Sequence, residues 1–226
     1  MNSKTLTGLL LVIGPILMAI TIFAGFPGTG GNEDWVTADY VAEIAANLQL
    51  HTIGTLLETV AIIAMMTGWI FLAQSMHNSG KPGSLFAKVA VILPLICLPI
   101  AVVSSGFSLS VGWAIEDGLM TEAGMFYGVS EGVSSTVFNV LGISWILLGT
   151  AMILQKNLHL ILAIFLIVIG AAMFLMNIIG GWLWIPGFLG FLILSLATGI
   201  LTVINRNSDE EETAAPTAAP AAPVTD

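Results

Sequence analysis

Six apolar runs, each about as long as a bilayer's hydrocarbon core is thick, decide what this chain can fold into. They cover Leu6 to Phe26, His51 to Gln74 (ending near His77), Leu85 to about Ser110, Val133 to Leu154 with Gly124 as its earliest start, about Leu158 to Ile179, and Ile185 to about Asn205. A spanning helix needs roughly 20 mainly apolar residues. Lipid offers no partner to free N–H and C=O groups, so segments of this length must be helices. The pattern predicts an all-α polytopic membrane protein: six transmembrane helices in one bundle, with a short outer amphipathic helix and a disordered C-terminal tail.

Charge supports this class. Only 8% of the 226 residues are charged and 57% are hydrophobic, whereas a soluble domain carries about 25% charged residues to wet its surface. The net charge of −9 arises from the loops and from the run Asp209–Glu212. Five scattered basic residues cannot neutralise a phosphate backbone, so nucleic acid is excluded as a partner and the lipid bilayer is expected. Residues 1–206 form the expected membrane domain, and 207–226 an acidic Ala/Pro-rich cytoplasmic tail unable to build a core. The lone Cys97, in an apolar run, reads as a small core residue.

Within this frame, Lys4 precedes the first run, but no A-x-A site follows it, so a retained span is expected rather than a signal peptide. Gly14-Pro15 predicts a loosened point there, and Pro94 with Pro99 a kinked or broken third span. Thr37 fits an N-cap with Asp39 in the first turn. Val41, Ile44, Ala45 and Leu48 then recur at helical spacing. No Lys or Arg lines the polar face of this helix, so it is expected to extend the second span outward rather than lie on the membrane. Trp113, Glu116, Asp117 and Glu122 are assigned to a loop.

Orientation follows from Lys4, Lys81, Lys88, Lys156 and Arg206. With six spans all five fall on one side, together with both termini; chance alone gives this about one time in sixteen, while the positive-inside rule requires it. The expected location is a prokaryotic inner membrane, crossed several times, with both termini cytoplasmic.

Glu58 stands inside the second run, and an ionisable group within a span marks a functional site by default. His51, Thr55 and Glu58 share one helical stripe, with Glu58 roughly 10 Å further in than His51. Glu131, Ser135 and Asn139 form a second stripe on the fourth span, and Ser105 with its neighbours Ser104 and Ser108 lines the third. Asn177 lies near the outer end of the fifth. These groups predict an outward-facing polar cavity that binds or moves a small solute or protons around Glu58, with Glu131 as partner. The alternative is a packing network of interhelical hydrogen bonds. A rival function is an accessory or assembly subunit that binds a membrane-protein partner. A third is a b-type haem redox protein using His77 and His159, since haem iron accepts imidazole ligands.

Neither a phosphate-binding glycine loop nor H-E-x-x-H is present; G-x-S-x-G is also missing. The expectation is therefore non-enzymatic, without cofactor or metal. Ala64/Gly68 and Ser195/Gly199 carry the small-residue spacing of close helix packing. The first span TGLLLVIGPILMAITIF, the segment ADYVAEIAANLQL and the fourth span YGVSEGVSSTVFNVLGISWILLGTAMIL resemble a group of small prokaryotic six-span membrane proteins whose shared domain has no assigned function. The likeness covers most of residues 5–205 and implies the six-span layout, but no residue role.

Overall fold

The computed structural model describes residues 3–28, 36–77, 81–156, 160–179 and 183–214. Most of these residues are helical, with no strand among them: α1 Ser3–Phe23, α2 Thr37–Ala46, α3 Leu48–His77, α4 Ser84–Glu116, α5 Met120–Gln155, α6 Leu160–Ile179 and α7 Trp184–Ala214. Five of them, α1, α3, α4, α5 and the Ile185–Ile204 part of α7, are long and apolar enough to cross a membrane, and Leu160–Met176 of α6 is a shorter apolar stretch. The protein is all-helical and membrane-embedded. Of the acidic tail at 207–226, residues 215–226 lie outside the described residues.

The long helices pack in chain order into a closed circuit, α1 on α3, α3 on α4, α4 on α5, α5 on α6, α6 on α7 and α7 back on α1. Glycines set the close approaches. A Cβ on Gly8 would lie 2.9 Å from the Gly199 carbonyl, and one on Gly142 2.5 Å from that of Gly170. The small-residue spacing has the same cause, since a Cβ on Gly68 would meet Leu11 at 2.7 Å. The centre of the circuit is filled with rings. Trp69 and Trp145 lie 4.8 Å apart, Phe191 is 5.1 Å from Trp145, and Phe138 contacts Phe191 and Phe188. Trp69 Nε1 donates to Ser195 Oγ at 3.0 Å, which pairs an indole N–H that lipid could not satisfy. Cys97 is 2% exposed within this core.

Both prolines of α4 lie inside an uninterrupted helix, so the expected break is absent. The reason is visible at Pro94. A proline cannot donate to the carbonyl four residues back, and that carbonyl, Ala90, instead accepts a hydrogen bond from the buried Ser144 hydroxyl of α5 at 3.0 Å. Pro15 likewise stands within a continuous α1.

α4 and α5 are longer than the sequence suggested, at 33 and 36 residues. At 1.5 Å per residue they run about 50 Å or more, well beyond the ~30 Å hydrocarbon core. Trp113 and Glu116 belong to α4 and Glu122 to the first turn of α5, not to a loop. The reversal is Asp117–Gly118–Leu119, closed by Gly118 N–H donating to the Ile115 carbonyl and Leu119 N–H to that of Ala114, with Gly118 at φ 76°. This is the left-handed helix stop that glycine permits. The surplus length lies at one end. Gly142 packs on Gly170 and Phe174, so α6, ending at Ile179, stops far short of the Met120 start of α5. α1 ends beside Gly54, whose Cβ position is filled by Phe26.

α2 caps this surplus. It is a separate helix, broken from α3 at Asn47, rather than an extension of the second span. Its N-cap is Val36, not Thr37, and Asp39 Oδ2 accepts the Val36 N–H at 2.9 Å. Val41 and Ile44 are buried against Val111, Ala114 and Ala123, and each such side chain contributes about 1.5–3 kcal/mol when removed from water.

Ser144→Ala is expected to lower stability by about 1–3 kcal/mol, the cost of an unpaired buried carbonyl. The Ser110 hydroxyl bonds Gly106 within its own helix, and Ser110→Ala should leave stability unchanged. Denaturant titration in micelles measures both.

Candidate functional site

Interhelical contacts fix which end of the circuit is which. Gln155 Nε2 donates to the Met76 carbonyl at 3.1 Å, and Gly83 packs on Ala151 and Leu154. The end of α3, the start of α4 and the end of α5 therefore meet, which brings Lys81, Lys88 and Lys156 to one end. α2 and the α4–α5 reversal, with Asp39, Glu43, Glu116, Asp117 and Glu122, mark the opposite, acidic end.

Glu58 sits near the acidic end, one helical turn inside Gly54, where α1 stops. The Glu131 carboxylate of α5 acts on it electrostatically. The fields of Glu58, Glu131 and Glu43, and the Tyr40 phenol, all reach Tyr127. Tyr40 of α2 and Tyr127 of α5 stack with centroids 5.1 Å apart and planes 19° from parallel. Three carboxylates and two phenols, drawn from α2, α3 and α5, are thus linked electrostatically into one acidic cluster. Glu131 is exposed and Glu58 half-buried, so the cluster is shallow rather than the floor of a deep cavity. A hollow lined by Met152, Ile153, Lys156 and Leu160 lies at the basic end instead.

The other residues singled out by sequence are placed as follows. Thr55 is buried, its hydroxyl 3.3 Å from that of Ser108, and its carbonyl accepts from Thr59 at 2.7 Å. Ser105 turns back to the Ala101 carbonyl of its own helix. Its neighbour Ser104 instead joins α4 to α5, donating to the Ser130 carbonyl at 2.9 Å while Ser130 donates to the Ser104 carbonyl at 3.0 Å. These serines are helix fasteners. Ser135 is half-buried, one turn inward from Glu131. Asn139 lies a turn deeper, and its Oδ1 is buried without a hydrogen-bond partner among the described residues. His51 is not at a wetted surface but 3% exposed, with its ring between the carbonyls of Pro27 and Ser108, each at 3.0 Å.

His77 Nδ1 lies 3.3 Å from the Ser84 carbonyl, while His159, the other residue of the haem reading, is outside the described residues, as are Glu33 and Asp34. Among the described residues no three His, Cys, Asp or Glu side chains converge to hold a metal ion. Sequence reasoning missed Tyr40, Tyr127 and Glu43. They are the chain's two tyrosines and an acid on a helix assigned elsewhere. The available signal was Tyr127 one turn before Glu131, on the same face.

Burial pushes the Tyr40 phenol above its ordinary ionisation range, and the Glu131 and Glu43 carboxylates add to the effect. Since a raised phenol pKa delays the anion, Tyr40 in a Tyr127→Phe background should ionise at more alkaline pH than free tyrosine. Glu131→Gln should move that transition part of the way back. Ultraviolet absorbance against pH reads both.

No protein-family model matches this chain, and no curated protein or solved structure was found to resemble it.

Proposed function

We propose that this chain is a non-enzymatic six-span protein of a prokaryotic inner membrane that binds protons or a small cation at the Glu58–Glu131 cluster. α6, with 20 residues, supplies the sixth span. The lysines gathered at one end support assigning that end, and both termini, to the cytoplasm by the positive-inside rule. The cluster then faces the opposite compartment. The resemblance to prokaryotic six-span proteins agrees with this layout.

The reading rests on Glu58 and Glu131, carboxylates on two different helices near the same end of the circuit that interact electrostatically. Two carboxylates that interact at the edge of a low-dielectric region repel, and a proton or cation shared between them relieves that repulsion. Every ionisable group in the cluster is an acid or a phenol, so its complement is positive. The stacked phenols add ring faces and hydroxyl acceptors suited to a desolvated cation. Asn139, with its unpaired buried oxygen, extends the acceptor stripe inward from Glu131. Further passage toward the lysine end requires Trp69, Trp145 and Phe191 to part, since they fill the centre of the circuit.

In proteoliposomes holding a pH-sensitive dye, an acid pulse on the cluster side should be transmitted faster by the wild type than by empty vesicles. Glu58→Gln should abolish that difference. A wild-type rate retained in Glu58→Gln would remove Glu58 from the role.

A further inference from the structure

His51 takes no part in the cluster, yet its surroundings are unusual. Both of its ring nitrogens face backbone carbonyl oxygens at 3.0 Å, Nδ1 that of Pro27 and Nε2 that of Ser108. Neither partner has a hydrogen to give. A neutral imidazole carries one N–H, so in either tautomer the second nitrogen turns a lone pair toward an oxygen lone pair. An imidazolium carries two and satisfies both carbonyls. With the ring 3% exposed, water has little access to relieve the mismatch, and a facing pair of acceptors costs as much as an unmade buried hydrogen bond.

The two contacts tie together three parts of the chain: the corner after α1, α3 itself, and α4. The corner is gripped from its other side as well, because Gly28 N–H donates to Glu43 Oε2 of α2 at 3.1 Å. Gly28 holds φ 80°, and a Cβ there would come within 3.4 Å of His51 Nδ1. The charged and polar groups around the ring are accounted for by element. α2 brings the Glu43 carboxylate, which holds the Gly28 N–H. α3 carries Glu58 two turns further along. α4 brings the Ser108 carbonyl and the hydroxyl that meets Thr55.

We propose that His51 is a pH-sensitive clasp: protonated, its ring ties the Pro27 corner, and through Glu43 helix α2, to α4 over the carboxylate–tyrosine cluster; neutral, it drops one tie and lets α2 move off. Imidazole is the side chain whose charge ordinarily changes nearest physiological pH. The clasp is independent of what the cluster binds.

Spin labels on Ala46→Cys of α2 and Trp113→Cys of α4, in a Cys97→Ser background, report the α2–α4 distance. Both labelled positions are exposed. One narrow distance is expected at acidic pH, with a second, longer population at alkaline pH. His51→Gln, which cannot donate to both carbonyls, should show the longer population at every pH. Glu58→Gln with Glu131→Gln should retain the wild-type response. A distance independent of pH in the wild type overturns the proposal, as does a response that survives His51→Gln or disappears in the double glutamine variant. Should His51→Gln fail to fold, nitrogen NMR of the wild-type ring decides: two ring N–H groups at acidic pH and one at alkaline pH support the clasp, and a ring that never carries two overturns it.

Discussion

Inside a membrane every polar group has to find its partner within the protein, and the interior of this structure is arranged around that requirement. The Ala90 carbonyl left free by Pro94 is taken by Ser144. The Trp69 indole N–H reaches Ser195 across the circuit. Ser104 and Ser130 exchange hydroxyl-to-carbonyl bonds where α4 meets α5. Each bond fixes two helices at a defined register, and the glycine contacts between α1 and α7 and between α5 and α6 allow the backbones close enough for the apolar side chains to interlock. Polar groups that remain outside this accounting therefore stand out. Among the described residues, Glu58 and Glu131 show no ion pair, and Asn139 keeps a buried oxygen without a hydrogen-bond partner.

The architecture divides into two regions with different chemistry. The middle and basic end form a packed apolar circuit with a core of tryptophan and phenylalanine. The acidic end is a cap in which α3, α4 and α5 outrun the shorter helices and α2 folds across them. Glu58 and Glu131 lie near the junction of these two regions. In the function we propose, a carboxylate there exchanges with the aqueous phase while it still experiences the low dielectric of the core, the combination that makes an acid responsive to protons and cations.

The long apolar runs were legible in the sequence because burial in lipid leaves a nearly continuous signal, and Glu58 was legible because an acid interrupts it. Helix ends were harder. Trp113, Glu116 and Glu122 read as loop because polarity was taken to end the helix, whereas α4 and α5 continue as a polar-tolerant extension until Gly118 permits the stop. The Pro94 break failed for a different reason: the repair comes from Ser144, 50 positions away, and no local pattern announces it. Pairings across helices were the least visible. Glu58 with Glu131 could be proposed from depth alone, but the Tyr40–Tyr127 stack depends on α2 folding back at Asn47, a tertiary outcome. His51 showed as a polar residue on a stripe, while its two carbonyl partners come from segments far along the chain.

In the orientation we propose, the Glu58 carboxylate is reached from the acidic end, on the side opposite the cytoplasm. Labelling of Glu58→Cys by a charged, membrane-impermeant maleimide tests it most directly, in a Cys97→Ser background and in membrane vesicles of both orientations. The account predicts modification in right-side-out vesicles and protection in inverted ones, with faster labelling when α2 is loosened by Tyr40→Ala. Labelling confined to inverted vesicles, or equal in both, would contradict it.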